Sequence, residues 1–185
     1  MDKYSLPTST IINGNVCKFN SDYRDIINIF NLLNDPDLLP EEKGLVALEM
    51  FYRDDNYKSD IRTALDELFF FITMGDDESN NNTSKKPLYD WDNDFSLIVA
   101  PVNKILGKDV RGIKYLHWWT FLSAFMEIGE CTFSTYVGIR DKLNKGKKLE
   151  KYEEQILRDN RDKIIMKKKY DATTQELMNE VMGNI

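Results

Sequence analysis

Two short runs of strand-forming residues lie near the start of the chain. Residues 8–12 and 15–19 are rich in β-branched and aromatic side chains, and Asn13-Gly14 separates them. Asn-Gly is the preferred two-residue hairpin turn because both positions accept positive φ. The pattern predicts a β-hairpin, and we expect it to pack on helices because an isolated hairpin is not stable in water.

Apolar residues then recur at the spacing of amphipathic helices. The first predicted helix runs from a cap at Ser21 or Asp22 to about Leu33. A second opens at Pro40, where proline and the following acids suit a first turn. A third runs from Asp60 to about Met74, with Ser59 as the predicted cap. Gly75 is the expected stop.

Residues 76–87 contain no apolar side chain and are dominated by Asp, Asn, Ser and Lys. Such a composition is typical of a flexible linker. The sequence therefore predicts a front subdomain over residues 1–75 and a back subdomain over residues 88–170. Residues 171–185 are expected to form a loose helix or a frayed tail.

Helical patterns resume after the linker. Helices are predicted over residues 92–106, 115–128, 131–140 and 148–169. Pro101 lies inside the first of these and is expected to kink it, and Gly107 is expected to end it. The predicted fold class is mostly α, with an N-terminal β-hairpin packed on a multi-helix bundle and two helical subdomains joined by a polar linker.

The composition places the chain among globular proteins. It has 185 residues, of which 42% are hydrophobic and 30% charged, enough for one sizeable domain. No apolar run approaches the roughly 20 residues that cross a bilayer, and the start of the chain lacks the pattern of a signal peptide. We therefore expect the protein to remain in a cytoplasm and to have no membrane partner.

Residues that could carry chemistry are few. The chain has two cysteines, Cys17 and Cys131, and one histidine, His117, too few for a structural zinc site. A Cys131–His117 pair would be separated by roughly 20 Å along a helix, which disfavours catalysis. Residues 90–94 fail the calcium-loop pattern and residues 107–112 fail the phosphate-loop pattern. We expect no enzyme activity, metal or cofactor.

Charge is distributed unevenly. Residues 22–67 hold 12 acids and 5 bases, whereas residues 141–169 hold 6 acids and 11 bases, in a chain of net charge −6. Segments of opposite charge can attract each other within one chain or between copies, so the sequence is compatible with a homo-oligomer. The lysines could also contact phosphate, but the acidic net charge makes nucleic acid an unfavoured partner.

The strongest feature is the aromatic segment Tyr115–Ile128, which is apolar on most sides. A helix of that kind is normally buried, but part of its surface could remain open as a partner groove. A groove between this helix and the helix that contains Pro101 is the working hypothesis. The predicted partner-binding residues are Trp91, Trp118, Trp119, Phe121, Leu122 and Phe125.

The order of these features resembles the gene-product-fifteen family of small bacteriophage proteins. The shared elements are the Asn13-Gly14 hairpin followed by Ser21-Asp22-Tyr23-Arg24, the block Tyr115-Leu116-His117-Trp118-Trp119-Thr120-Phe121, and Phe133-Ser134 through Ile139-Arg140. Such proteins are encoded beside the tape-measure gene of long-tailed phages. The resemblance implies a tail assembly chaperone that keeps the tape-measure protein soluble in the host cytoplasm and is absent from the mature virion.

Two alternatives remain open beside this interpretation. The first is a structural tail or connector component, which would be present in purified particles. Under the chaperone interpretation, the tail tube protein is a further possible partner. A nucleic-acid-binding phage regulator is the third class, which salt-dependent DNA binding would support.

Overall fold

A computed structural model describes residues 4–75 and 87–166 of the chain. In these residues the chain forms a two-stranded hairpin and eight α-helices. The strands are β1 (Ser9–Ile12) and β2 (Asn15–Lys18). The helices are α1 (Tyr23–Leu33), α2 (Pro40–Phe51), α3 (Ile61–Ile72), α4 (Trp91–Leu106), α5 (Trp118–Met126), α6 (Thr132–Asn144), α7 (Lys151–Asp159) and α8 (Arg161–Ile164). The predicted fold class, mostly α with an N-terminal hairpin, is confirmed.

The hairpin forms around the predicted turn. Asn13 and Gly14 have φ of 48° and 78°, the two positive values that the tight turn requires. The strands pair antiparallel with Ile12 opposite Asn15. Ile12 and Cys17 are fully buried, so the inner face of the hairpin joins the helical core as expected.

The front helices begin where short polar side chains can accept backbone hydrogen bonds. Asp22 caps α1 by accepting from the Arg24 amide, and Asp60, one residue after the predicted Ser59, caps α3 by accepting from Thr63. Glu42 accepts from the amide of Leu39 and thereby secures the start of α2. A 3₁₀ turn over Asp55–Ser59, which the sequence pattern did not predict, connects α2 to α3.

Acidic side chains within residues 90–94 accept backbone hydrogen bonds at the start of α4. Asp90 accepts from the amides of Asp92 and Asn93, and Asp94 accepts from the amide of Asp90. Helix α4 continues through Pro101 and ends at Gly107, whose φ of 67° is the left-handed stop that glycine provides.

Three predicted helix boundaries in the back half were wrong. The aromatic helix begins at Trp118 instead of Tyr115, and α6 extends past Arg140 to Asn144. The long helix predicted over residues 148–169 is two short helices that meet at Asn160, whose φ of −130° and ψ of 31° are not helical. Residues 167–169 and the predicted tail over residues 171–185 lie outside the described residues.

One core connects the two halves of the chain. Its buried members run from Ile12 in the hairpin to Phe133 in α6 and include residues on both sides of the linker. The predicted front and back subdomains therefore share a core, although residues 76–86 of the linker lie outside the described residues. A second, smaller cluster comprises Tyr136, Ile139 and Ile164.

A buried ion pair holds the last helices against α4. The Arg140 guanidinium donates to both carboxylate oxygens of Asp94, at 2.7 and 2.9 Å. It also donates to the backbone carbonyls of Ile164, Lys163 and Leu88. Both side chains are almost completely buried, with 5% and 2% exposure. Every donor of this guanidinium group is engaged, so α6 and α8 are fastened to the start of α4.

Candidate functional site

Two of the sequence blocks that carry the family resemblance, residues 21–24 and residues 115–121, meet in space. The Tyr23 amide donates to the Leu116 carbonyl at 2.9 Å, and the Trp118 amide donates to the Ser21 carbonyl at 2.7 Å. The hydroxyl groups of Ser21 and Tyr115 are hydrogen-bonded at 2.8 Å. These extended backbone contacts explain why residues 115–117 are not helical. The blocks form a junction that joins the starts of α1 and α5.

Arg24 extends this junction to the turn before α5. Its guanidinium donates to the carbonyls of Val110 and Ile113, at 3.1 and 2.6 Å, and forms an ion pair with Asp22 at 3.0 Å. It also lies over the Tyr23 ring, 4.6 Å from the centroid. The capping acid Asp22 and its partner Arg24 thus position the segment that leads into the aromatic helix.

His117 is a structural residue in this arrangement. Its Nδ1 accepts from the Trp119 amide at 3.1 Å and caps α5, so Nε2 carries the proton and donates to the Pro7 carbonyl at 2.9 Å. Burial lowers the pKa of His117, and the bond to Pro7 opposes that shift. Cys131 precedes α6 and is partly exposed. Both nitrogens of His117 are engaged within the fold, so neither is directed to a thiol.

The six predicted partner-binding residues are mostly enclosed. Trp91, Trp118, Trp119 and Phe121 have exposures of 6%, 0%, 8% and 0%. The indole nitrogens of Trp118 and Trp119 donate to the carbonyls of Ile72 and Phe71. Leu122 and Phe125 are partly buried and pack against the core. For the four buried rings the expectation of an open binding face is not met, because α1, α3 and α4 cover them.

A groove does lie between α5 and the helix that contains Pro101, as the hypothesis placed it, but other residues line it. Its volume is about 540 Å³. Its lining comes from the N-terminal segment, the end of α3, the end of α4 and one face of α5: Tyr4, Ser5, Leu6, Met74, Ile105, Leu106, Trp119, Thr120, Ser123, Ala124 and Glu127. Of the six predicted residues, Trp119 alone contributes to this lining. We call this feature the α4–α5 groove.

The sequence contained one indication of the groove, a set of small residues among the aromatic residues of α5. Thr120, Ser123 and Ala124 place small side chains on α5 where its neighbours are large rings. Small side chains leave space beside a helix, and here that space is the floor of the groove. Ile105, which is 47% exposed, and the partly exposed Leu106 supply the opposite apolar wall. Glu127 is the one charged residue in the lining.

The lysines of the back half lie mostly on the surface of α6, α7 and their connection. Lys142 pairs with Glu153 and Lys145 pairs with Asp141, each at 2.7 Å. Lys147, Lys148 and Lys151 are exposed. Lys167, Lys168 and Lys169 lie outside the described residues. The lysines that are described therefore form a mixed surface with interspersed acids.

The part of the chain that the structure describes contains neither a candidate membrane span nor a candidate metal cluster. No helix within residues 4–75 and 87–166 has the length and apolar character of a membrane span. In the same part of the chain, no three side chains of the metal-binding types converge.

Comparison with known proteins gives one match. The family model described as "Bacteriophage Gp15 protein" matches residues 3–171, which is nearly the whole chain. No curated protein and no solved structure matches. The matched range contains the hairpin, the junction between α1 and α5, and every helix described above. The chain therefore belongs to the bacteriophage Gp15 protein family.

Proposed function

We propose that this phage protein is a tail assembly chaperone that binds the tape-measure protein in the α4–α5 groove and keeps it soluble in the host cytoplasm. The observation that carries the proposal is the α4–α5 groove, an open and mostly apolar depression of about 540 Å³ on the surface of a highly charged protein. Membership of the family supports the phage setting. The proposed role requires no catalytic centre and no cofactor.

The lining of the groove suits an apolar helix as the ligand. Ile105, Leu106 and Met74 offer aliphatic and thioether surface, and the edge of Trp119 offers an aromatic surface. An amphipathic helix buries its apolar face in a groove of this kind through side chains at three- and four-residue spacing. A tape-measure protein is long and helical, so it presents many such faces before the tube encloses it.

Weak binding at each face is an advantage for a chaperone. The tail tube must displace it as polymerisation proceeds, so a single contact should dissociate readily. Several copies along one partner would still keep that partner covered. The proposal therefore predicts micromolar-range affinity for one helical segment, which corresponds to about −8 kcal/mol.

Binding to overlapping helical fragments of the tape-measure protein tests the proposal. The discriminating variant is Ile105→Asp, because Ile105 is about half exposed in the groove wall and its replacement should leave the fold intact. A carboxylate there would have to be desolvated by an apolar ligand, so we expect at least about tenfold weaker binding. Isothermal titration calorimetry supplies the dissociation constants, and a thermal melt checks the fold.

Ile11→Asp is the matched control. Ile11 is 67% exposed on the hairpin, outside the groove, and carries the same change of side chain. It should bind fragments as the unmodified protein does. Equal binding by both variants, or no binding of any fragment by the unmodified protein, would contradict the proposal.

Mass spectrometry of purified particles addresses the alternative role. A chaperone is expected to be absent from mature virions, whereas a structural tail or connector component would occur at fixed copy number. Detection at fixed copy number would replace the chaperone proposal with the structural one.

A further inference from the structure

The described residues of the acidic and basic segments do not neutralise each other through ion pairs. Six ion pairs join described residues. None of them connects the acidic segment 22–67 with the basic segment 141–169. The pairs at the two segments are local, such as Lys58–Asp55 and Lys145–Asp141. Among described residues, the attraction between the segments is therefore left unused by the single chain.

The acidic segment presents a defined surface on α2, which we call the acidic strip. It consists of Glu41, Glu42, Leu45, Val46 and Glu49, all exposed. Their three- and four-residue spacing places them on the solvent-facing side of the helix, opposite the buried Leu48 and Phe51. Leu45 is 54% exposed and Val46 37% exposed, so the strip combines apolar contact with negative charge.

A cleft continues the acidic strip beyond the end of α2. It has a volume of about 330 Å³ and shares Glu49 with the strip. Asp54 and Asp55 lie in the same lining, where Lys58 pairs with Asp55 at 2.7 Å. The lining also contains Arg53, so three carboxylates face two cations. Within the described residues no ion pair engages Glu49, which is therefore the carboxylate left for an incoming ammonium group.

The basic segment presents the complementary surface, which we call the basic loop, over residues 143–152. Gly146, with a φ of 64°, turns the chain after α6, and exposed Lys147, Lys148 and Lys151 follow. These three lysines have no ion-pair partner among the described residues. Exposed Tyr152, at 63%, and Leu143, at 38%, border them. Glu150 is the one exposed acid in the loop, which therefore keeps a surplus of positive charge beside exposed apolar side chains.

We infer that the basic loop of one copy docks on the acidic strip of a second copy. The chain as a whole carries a net charge of −6, so two copies repel in most orientations. Among the described residues, the strip and the loop form a pairing in which opposite charges and exposed apolar side chains coincide. A contact of one strip with one loop is head to tail and leaves one free strip and one free loop on the dimer. Further copies can add, so the assembly grows into a ring or an open chain.

This inference is independent of the tape-measure proposal. No residue of the acidic strip or the basic loop lines the α4–α5 groove. A failure of self-association would therefore leave the groove experiment unaffected, and the reverse also holds.

Sedimentation velocity of the full chain tests the inference at about 50 mM and about 500 mM salt, where the screening length falls severalfold. Nuclease-treated protein is used to exclude bound nucleic acid. The unmodified protein should form species larger than a monomer at low salt. The association constant should fall at least about tenfold at high salt, because the contact depends on exposed charges.

Two variants remove one surface each. Glu42→Gln/Glu49→Gln neutralises the acidic strip, and Lys147→Gln/Lys148→Gln/Lys151→Gln neutralises the basic loop. Each variant alone should be at least about tenfold weaker in association. An equimolar mixture should form a heterodimer and no larger species, because it contains one intact strip and one intact loop per pair.

The matched controls change charged residues elsewhere on the surface. Lys104→Gln/Lys108→Gln/Lys114→Gln and Asp92→Asn/Glu130→Gln remove the same number of charges and should assemble like the unmodified protein. The inference fails if the unmodified protein is monomeric at low salt, if its mass does not depend on salt, or if the mixed variants do not associate. Retention of nucleic acid by the basic loop with no self-association would identify a polyanion as its partner and would also overturn it.

Discussion

Replacement of Arg140 by methionine should destabilise the protein more than any single change at a surface charge. Methionine approximates the length of the side chain but supplies no donor. Asp94, 2% exposed, would keep one hydrogen bond, from the Asp90 amide. Leaving one member of a buried ion pair without its partner costs about 3–5 kcal/mol.

The three carbonyl groups that Arg140 serves raise this figure. Ile164, Lys163 and Leu88 would each lose a hydrogen bond of 2.7 to 3.1 Å. At about 1 kcal/mol for each lost bond, the total loss lies between about 6 and 8 kcal/mol. Because the whole free energy of unfolding of a domain is commonly about 5–15 kcal/mol, the variant should be marginal at room temperature.

Urea unfolding followed by tryptophan fluorescence measures this loss, since Trp91, Trp118 and Trp119 are buried in the native protein. The matched control is Lys145→Met, which breaks an ion pair of the same 2.7 Å length at the surface. That control should cost less than about 1 kcal/mol, because solvent screens the exposed pair. The difference between the two losses of unfolding free energy then measures the effect of burying the ion pair.

A double variant separates the charge from the lost carbonyl bonds. Arg140→Met/Asp94→Asn removes the unpaired carboxylate, so its loss should be smaller than the sum of the two single losses. Limited proteolysis should also cut within residues 151–166 sooner in Arg140→Met, because α8 is released from α4. A loss below about 1 kcal/mol in Arg140→Met, or strictly additive losses in the double variant, would refute a buried pair that fastens these helices.

Three further predictions concern the core, the cap and the hairpin. Trp118→Ala should cost about 3–5 kcal/mol in urea unfolding, since the side chain is fully buried, and retention of full stability would contradict its place in the core. Because burial lowers the pKa of His117 below its ordinary 6.5, the unfolded chain takes up the proton first. Stability should therefore be full above pH 6.5 and decline as the pH falls from there through the folded pKa. His117→Asn should reduce that decline in a pH series of melts, and an unchanged decline would assign it to other groups. Gly14→Ala should cost about 1 kcal/mol because alanine is strained at a φ of 78°, and a neutral result would show that the turn adjusts.

The sequence alone determined the local structure well. Asn13-Gly14 specifies its turn because few other pairs accept two positive φ values. Pro40 and Gly107 mark helix ends as predicted, because each has a backbone preference that acts within one turn of the chain. The family resemblance also rested on sequence blocks, and two of them, residues 21–24 and 115–121, proved to be in contact across the junction of α1 and α5.

Tertiary structure decided which aromatic surface remained accessible. The period of a helix shows that a face is apolar, but not which distant element covers it, because burial is a property of pairs of elements. Trp118 and Phe121 were therefore predicted at a partner site and found in the core, where α1, α3 and α4 enclose them. For the same reason residues 115–117 extend to meet Ser21 and Tyr23 instead of joining the helix.

The α4–α5 groove and the Arg140–Asp94 pair depend on contacts between residues far apart in the chain. Asp94 and Arg140 are separated by 46 positions, and no local pattern specifies that a capping acid will also receive a guanidinium. Small residues on α5 become a groove only because the end of α4 stands opposite them. Local preferences thus determined the hairpin turn and several helix ends, whereas long-range packing determined the start of α5 and which side chains remain exposed.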